Sequence, residues 1–183
     1  MSVTAAVLAG TTLTSLLFGI NAYSHKPNPL YFLADENGQI YEITPASQPY
    51  FKEGQVINFA VEAITKAMTM NFVTWRQDLA EATEYFQRPA GWNNYLAALE
   101  GSGTLEMIRN RRLISSVVAN GAAIVNHGQK GDSYFWVIQV PITITYQSSS
   151  EKTTENRLAE IEVSRIPTTI SSKGMGITRV LIK

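Results

Sequence analysis

The 183-residue chain contains no cysteine. Disulfides and thiolate metal sites are thereby excluded, and the chain can enter an oxidising compartment such as a bacterial periplasm without mispairing. Histidine is almost as scarce, with only His25 and His127. Neither has a second histidine or a carboxylate at metal-ligand spacing, and no HExxH arrangement occurs, so no zinc site is expected. His127 lies in Asn126-His127-Gly128, a loop signal. A phosphate loop is missing as well. Gly101-Ser102-Gly103-Thr104 has no lysine after it, and Gly174-Met175-Gly176 precedes a strand, whereas a phosphate loop follows a strand and opens a helix. An ATP-driven step would therefore belong to a partner. The fifteen basic and fifteen acidic side chains cancel, which leaves no bulk positive field and argues against direct nucleic-acid binding.

The remaining scarcity is charge near the start. From Val3 to Tyr23 the chain reads VTAAVLAGTTLTSLLFGINAY, and the first charged or titratable groups beyond it are His25 and Lys26. As a helix this stretch spans roughly 30 Å, the hydrocarbon thickness of a bilayer. Residues 1–24 are expected to form a single transmembrane anchor. A secretory signal peptide is the alternative, but a basic n-region is missing and Ile20-Asn21-Ala22 is a poor cleavage site. The length argues against a buried core helix, and the positive-inside rule is silent because no charge precedes the segment. Ala5 and Ala9, Ala6 and Gly10, and Ser15 and Gly19 are spaced by four. Small residues at that spacing let helix backbones approach closely in a membrane, so Ala6, Gly10, Ser15 and Gly19 are the expected helix-packing residues.

Residues 25–51 read as a linker and a hairpin. Pro27 and Pro29 favour extended backbone. Leu30 to Leu33 and Ile40 to Ile43 flank Asn37-Gly38, a strong hairpin signal. Residues 52–183 read as one α+β domain. Val56, Phe59, Ala60, Ala63, Ile64, Ala67 and Met68 form an apolar stripe at helical spacing. The pattern runs on through Phe72, Val73 and Trp75 to Leu79, Ala82 and Phe86, which predicts two helices or one bent helix. Trp92, Tyr95, Leu96 and Leu99 predict another helix, ended by Gly101-Ser102-Gly103, and Leu105 and Ile108 a short one. Strands are expected at Leu113–Val118, Ala122–Asn126, Tyr134–Tyr146, around Ala159 to Val163, and at Gly176–Ile182, with Ser148 to Thr154 as a polar turn. In Tyr134–Tyr146 every second residue is large and apolar or aromatic, so one face of the strand should be buried. Helices followed by a run of antiparallel strands define the α+β class.

Few residues invite chemistry. Asp78, Glu81 and Glu84 are three apart and share a face of the expected helix, as a solvated stripe or as acids of a pocket. Arg109, Arg111 and Arg112 form a basic cluster that would suit a phosphate, an acidic partner patch or the end of a helix. Tyr85, Phe86 and Trp92 bracket Pro89, and are core or interface aromatics.

An ordered set of motifs resembles a known family. The string Tyr134-Phe-Trp136-Val-Ile-Gln139-Val-Pro141-Ile-Thr-Ile-Thr145-Tyr146-Gln147-Ser148 is similar to the central strand of the DotI/IcmL/TraM family, inner-membrane components of type IVB secretion and conjugation systems. Upstream, Glu84-Tyr85-Phe86, Gly91-Trp92, Leu99, Ser102-Gly103 and Leu105 fit the same pattern; downstream, Arg165-Ile166-Pro167-Thr168 and Gly174-Met175-Gly176-Ile177 do. Order and spacing agree from about Pro27 to the C-terminus. The resemblance implies a bitopic inner-membrane protein whose C-terminal domain is periplasmic. It also implies a nuclear-transport-factor-2-like fold, in which helices pack in the concavity of a curved antiparallel sheet. The role it implies is structural, with secretion-system inner-membrane and core subunits and secretion ATPases as partners, self-association, and no cofactor, metal or catalytic residue. Tyr85, Phe86, Trp92, Arg165, Pro167 and Thr168 become candidate interface residues. Family members carry a cytosolic segment before the membrane helix. This sequence begins almost at the helix, so a shortened member or altered cytosolic contacts are expected. Met175 stands where isoleucine is more usual, a swap conservative in volume.

Two functional classes follow. One is an assembly subunit acting through surfaces. The other is a membrane-tethered domain that holds a small ligand or an active site in its concavity, for which Asp78 and Glu84 would be the acids.

Overall fold

The computed structural model describes residues 31–34, 40–168 and 170–183. The chain divides into two compact units, residues 1–44 and Pro45–Lys183. In the first, β1 (Tyr31–Ala34) pairs antiparallel with β2 (Ile40–Ile43), Tyr31 opposite Ile43 and Ala34 opposite Ile40. These are the expected hairpin strands; the Asn37-Gly38 turn lies outside the described residues, as does the expected anchor with Ala6, Gly10, Ser15 and Gly19.

The second unit opens with α1 (Glu53–Met68). All seven residues of the apolar stripe are buried in it. The Gln55 side chain accepts the Lys52 backbone N–H at 3.0 Å, which satisfies one of the donors a helix start leaves unpaired. The helical pattern breaks at Thr69, whose backbone is extended, and Met70–Asn71 forms a two-residue strand, β3. Nothing in the periodicity announces it. The cause is Ser115: its hydroxyl accepts the Met70 N–H at 3.0 Å and donates to the Met68 carbonyl at 2.7 Å, so one buried side chain ties the end of α1 to the sheet. Asp78 then fixes the turn into α2 (Trp75–Ala82) by accepting from Asn71 N at 2.8 Å and Thr74 Oγ1 at 3.1 Å. A 3-10 turn, Thr83–Tyr85, leads to α3 (Ala90–Gly101) and α4 (Thr104–Asn110).

The five remaining strands are β4 (Ile114–Ala119), β5 (Ala123–Lys130), β6 (Ser133–Gln147), β7 (Lys152–Arg165) and β8 (Met175–Ile182). The antiparallel order is β3-β4-β6-β7-β8. β6 is long enough to take two partners on one side: β4 along Ile142–Gln147 and β5 along Ser133–Gln139. Its alternation holds as expected: Trp136, Ile138, Val140, Ile142, Ile144 and Tyr146 are all buried. The helices cover that face, α1 against β4, β5, β6 and β7, and α3 against β8. Burial of each large apolar side chain contributes about 1.5–3 kcal/mol, so this row together with the α1 stripe dominates the stability of the unit.

Gly91 and the segment before it close one sheet edge. Gln87 donates its N–H to the Ile177 carbonyl at 2.9 Å, and Phe86 bridges Ile177 in parallel. A Cβ on Gly91 would sit 2.2 Å from the same carbonyl. Glycine is therefore required for α3 to lie this close to β8.

Two strands differ from expectation. β5 does not stop at Asn126, and His127 stands in the strand rather than in a loop; a bulge beside Val125 resets the register and lets pairing with β6 continue to Lys130. β7 begins at Lys152, so the last three residues of the expected polar turn are strand and Ser148–Glu151 turns.

Candidate functional site

The concave face is not filled completely. A cavity of about 360 Å³ lies between α3 and the far halves of β6, β7 and β8. Leu99, Ile144 and Ile182 give it apolar walls, and Tyr146, Glu155 and Arg157 its polar groups. Cross-strand register puts these polar groups there: Ile144 faces Glu155 and Ile142 faces Arg157, so both charged side chains share the inward face of β7 with Ala159, Ile161 and Val163. Arg157 donates from Nε and Nη2 to Glu155 Oε2 at 3.1 and 2.8 Å. Both side chains are about half exposed, and an ion pair at such a site contributes at most about 1 kcal/mol.

The Tyr146 phenol is pushed above its ordinary range, by burial first and then by the Glu155 carboxylate. Its hydroxyl makes no hydrogen bond with the described residues. Tyr95 behind it is raised further by burial, and donates to the Ala67 carbonyl at 2.5 Å. At neutral pH both phenols are donors, and neither is a base. Asp78 is not in this cavity, because its carboxylate holds the β3–α2 turn. Glu81 faces Lys66 and Gln77, whose hydrogen bonds hold its carboxyl below the usual range, Gln77 contributing most. Glu84 sits in the 3-10 turn, beyond the end of α2. The three carboxylates expected on one helix face thus have separate surroundings. Among the described residues no group of three or more histidines and carboxylates could hold a metal ion. Nothing here assembles a nucleophile, a base and an orienting group.

The candidate interface residues divide into two sets. Tyr85 and Phe86 are core: they are 6% and 5% exposed, and Phe86 packs on Trp92 and Tyr95 with ring centroids 5.3 and 4.8 Å apart. Tyr85 donates to Glu62 at 2.5 Å and lies under the Lys173 ammonium at 4.0 Å. Burial and the Glu62 bond push its phenol up to about 12. Those contacts clamp the loop after β7 onto α1. Trp92 is half-buried, whereas Pro167 and Thr168 are exposed. Arg165 is half-buried; its guanidinium donates to the Pro45 carbonyl and, at 2.8 Å, to the Gln48 carbonyl, and it lies 5.3 Å from the Tyr50 ring. Burial lowers its pKa. It pins the segment that leads into α1. Beside Pro167 and Thr168 a second, more open cavity of about 330 Å³ is lined by Glu84, Phe86, Arg88, Ile166, Ile170 and Lys173 among others. Ile170, 73% exposed, projects from its rim.

The fold defines the class: an α+β domain with helices packed on a curved antiparallel sheet. Comparison with known proteins identifies the lineage. Residues 7–183 match the family described as the type-IV b secretion system DotI/IcmL inner-membrane complex component, and the chain belongs to that family. The periplasmic domain of DotI is similar at 32% identity and a TM-score of 0.71, covering 74% of this chain and 98% of that one. A periplasmic fragment of TraM is similar at 21% identity and a TM-score of 0.68, over 73% and 98% of the two chains. An IcmL-like type IV secretion system protein from Legionella pneumophila follows at 20% identity and 0.65, over 74% and 94%. The two lower identities show the fold alone. No curated protein matches the chain.

Proposed function

We propose that the protein is a non-enzymatic assembly subunit of the inner-membrane part of a type IVB secretion or conjugative transfer apparatus. Residues 1–24 anchor it by one membrane helix, and the following domain lies in the periplasm. It acts through contacts of that helix and of the domain surface with copies of itself and with other inner-membrane and core subunits, near the secretion ATPases. The observation that carries this reading is family membership across residues 7–183. The packing of the concave face supports it, since α1 and the buried row from Trp136 to Ile144 fill most of that face with apolar side chains. Trp92, Arg165, Pro167 and Thr168 remain the interface candidates with exposed atoms, and Pro167 and Thr168 directly follow Ile166, which lines the open cavity beside Ile170. Chromosomal Gly10→Leu tests the role of the anchor: it should reduce recovery of the protein in the membrane complex while the domain keeps its native circular dichroism. Normal assembly in that strain refutes lateral packing through the Gly10 face.

A second reading rests on the 360 Å³ cavity, whose size suits a small ligand and whose Tyr146 hydroxyl is free to donate. The residues to test for it are Tyr146, Glu155 and Arg157, in place of Asp78 and Glu84. Benzoate and phenylacetate are suitable probes. A rise in melting temperature that Tyr146→Phe abolishes would favour this reading; no shift for either probe would count against it.

A further inference from the structure

The basic cluster expected at Arg109, Arg111 and Arg112 is reorganised by the fold. Arg111 leaves it and pairs with Glu151 at 2.7 Å. Arg109 is joined instead by Arg76, from a different helix. Both guanidinium carbons lie over one indole: Arg76 is 4.2 Å and Arg109 5.1 Å from the Trp75 ring centroid. The two charges are therefore less than about 10 Å apart, within one screening length at ordinary salt. The Arg112 backbone follows at the end of α4, its N–H directed to the Arg109 carbonyl. The Phe72 N–H donates to the neighbouring Leu113 carbonyl at 3.1 Å, which places the end of α4 against the turn that carries Val73 and Trp75.

Among the described residues none of these three arginines has a counter-ion. The ion pairs among the described residues use Lys66, Arg111, Lys130, Arg157, Arg179 and Lys183. The carboxylate of Asp78, close by on α2, is committed to Asn71 and Thr74. Glu106, one turn before Arg109 on α4, makes no ion pair with it. Two exposed apolar side chains adjoin the cluster, Val73 at 70% and Ile114 at 46% exposure. Arg112 is also in the left-handed region, with φ at 53°. It occupies the position after the α4 cap: its N–H points to the Arg109 carbonyl, and the Leu113 N–H bonds the Ile108 carbonyl at 2.9 Å. Glycine is the comfortable residue in that helix-ending motif. A long cation held there against its backbone preference is a local cost that no side-chain hydrogen bond or ion pair among the described residues offsets.

From this arrangement we infer that Trp75, Arg76, Arg109 and Arg112, with Val73 and Ile114 at the rim, form a docking surface for an acidic segment of a partner polypeptide that carries aliphatic side chains among its carboxylates. Guanidinium groups laid on an indole are held in place and desolvated on one side. Their outer edges stay open for paired hydrogen bonds to carboxylates, the geometry in which arginine surpasses lysine. The partner's aliphatic groups would cover Val73 and Ile114. This goes beyond the assembly role and does not depend on which neighbour supplies the segment, because the binding is measured outside the apparatus.

The test uses the full-length protein in detergent-free phosphatidylcholine nanodiscs. A fluorescent peptide of Glu-Glu-Leu-Gly repeats is titrated, with Gln-Gln-Leu-Gly repeats and phosphatidylglycerol vesicles as comparisons. The acidic peptide should bind, should weaken with added salt, and should lose about tenfold or more in affinity in Arg76→Gln/Arg109→Gln, since each charge-assisted contact is strong. Arg112→Gly is the decisive variant. It should raise the melting temperature by about 2–4 °C while weakening the peptide, a combination that a merely structural arginine would not produce. Equal binding of the Glu and Gln peptides, unchanged affinity in the double variant, or binding to the vesicles without the peptide would each overturn the proposal.

Discussion

Gly91→Ala should destabilise the protein although alanine is the better helix former. Gly91 is the second residue of α3, and Gly54 is the second residue of α1. The intrinsic change is the same at both sites, a gain of up to about 1 kcal/mol in helix propensity. The surroundings differ. A Cβ on Gly54 meets nothing within 4 Å, whereas on Gly91 it would lie 2.2 Å from the Ile177 carbonyl oxygen and 3.2 Å from its carbon. That atom is backbone, fixed by the β7–β8 ladder and by Gln87, so it cannot swing away like a side-chain terminus. Reaching ordinary contact requires α3 and β8 to separate by more than 1 Å, and Phe86, Trp92 and Tyr95 are packed across that seam. Overpacking of this kind costs about 1–3 kcal/mol, more than the propensity gain. Gly54→Ala should be neutral to about 1 kcal/mol stabilising, with Gly91→Ala about 2–3 kcal/mol below it. For a domain of this size that gap is about 5–10 °C in melting temperature. Calorimetry of the two variants beside the wild type measures it. A Gly91→Ala protein as stable as Gly54→Ala would refute the close approach of α3 to β8.

Three further outcomes follow from the same contacts. Ser115→Ala should cost about 1–3 kcal/mol in urea denaturation, because it leaves the buried Met70 N–H and Met68 carbonyl without their shared partner; a neutral result would contradict the role of Ser115 as the tie between α1 and β3. Tyr85 titrates near 12 in the folded protein against an ordinary 10. A raised phenol pKa means that its stabilisation is intact below pH 10 and is lost as the pH climbs through 12; Tyr85→Phe should make the alkaline fall in melting temperature shallower, and an unchanged slope would argue against the Glu62–Tyr85 contact. Cavity creation at Ile138, fully buried at the centre of β6, should be among the costliest changes, about 2–5 kcal/mol for Ile138→Ala; a loss below 1 kcal/mol would mean that the core lies elsewhere.

The parts of the fold that were legible in the sequence are those where one face is buried and the other wet. The α1 stripe from Val56 to Met68 and the even positions of β6 both meet that condition over several periods, and both were read residue by residue. Where burial is short or absent the pattern fades. β3 is two residues long and is placed by Ser115 from forty-five positions away, so no local signal could announce it. The first half of β7 faces the cavity with Glu155 and Arg157 where a core would have apolar residues, so its alternation is polar on both faces: its first residues read as the end of a polar turn, and the strand pattern starts only at Ala159. Its register with the apolar row of β6 was the available signal. His127 sits in an exposed edge strand, 2.6 Å from the Tyr134 hydroxyl, and its Asn-His-Gly context imitates a loop. For the candidate site, the family motifs marked Tyr85 and Phe86 without separating folding from contact, and only the packing makes that division. The pairing of Arg76 with Arg109 on Trp75 joins residues thirty-three apart and lies beyond any periodicity.

The central claim is that the protein works as part of a large membrane assembly. The most direct measurement is to tag the full-length chain at its chromosomal locus, purify it gently from native membranes, size the particle and identify its components by mass spectrometry. The expected result is a large particle containing secretion-system core subunits and ATPases. A small oligomer of this chain alone would contradict it and turn attention to the cavity at Tyr146.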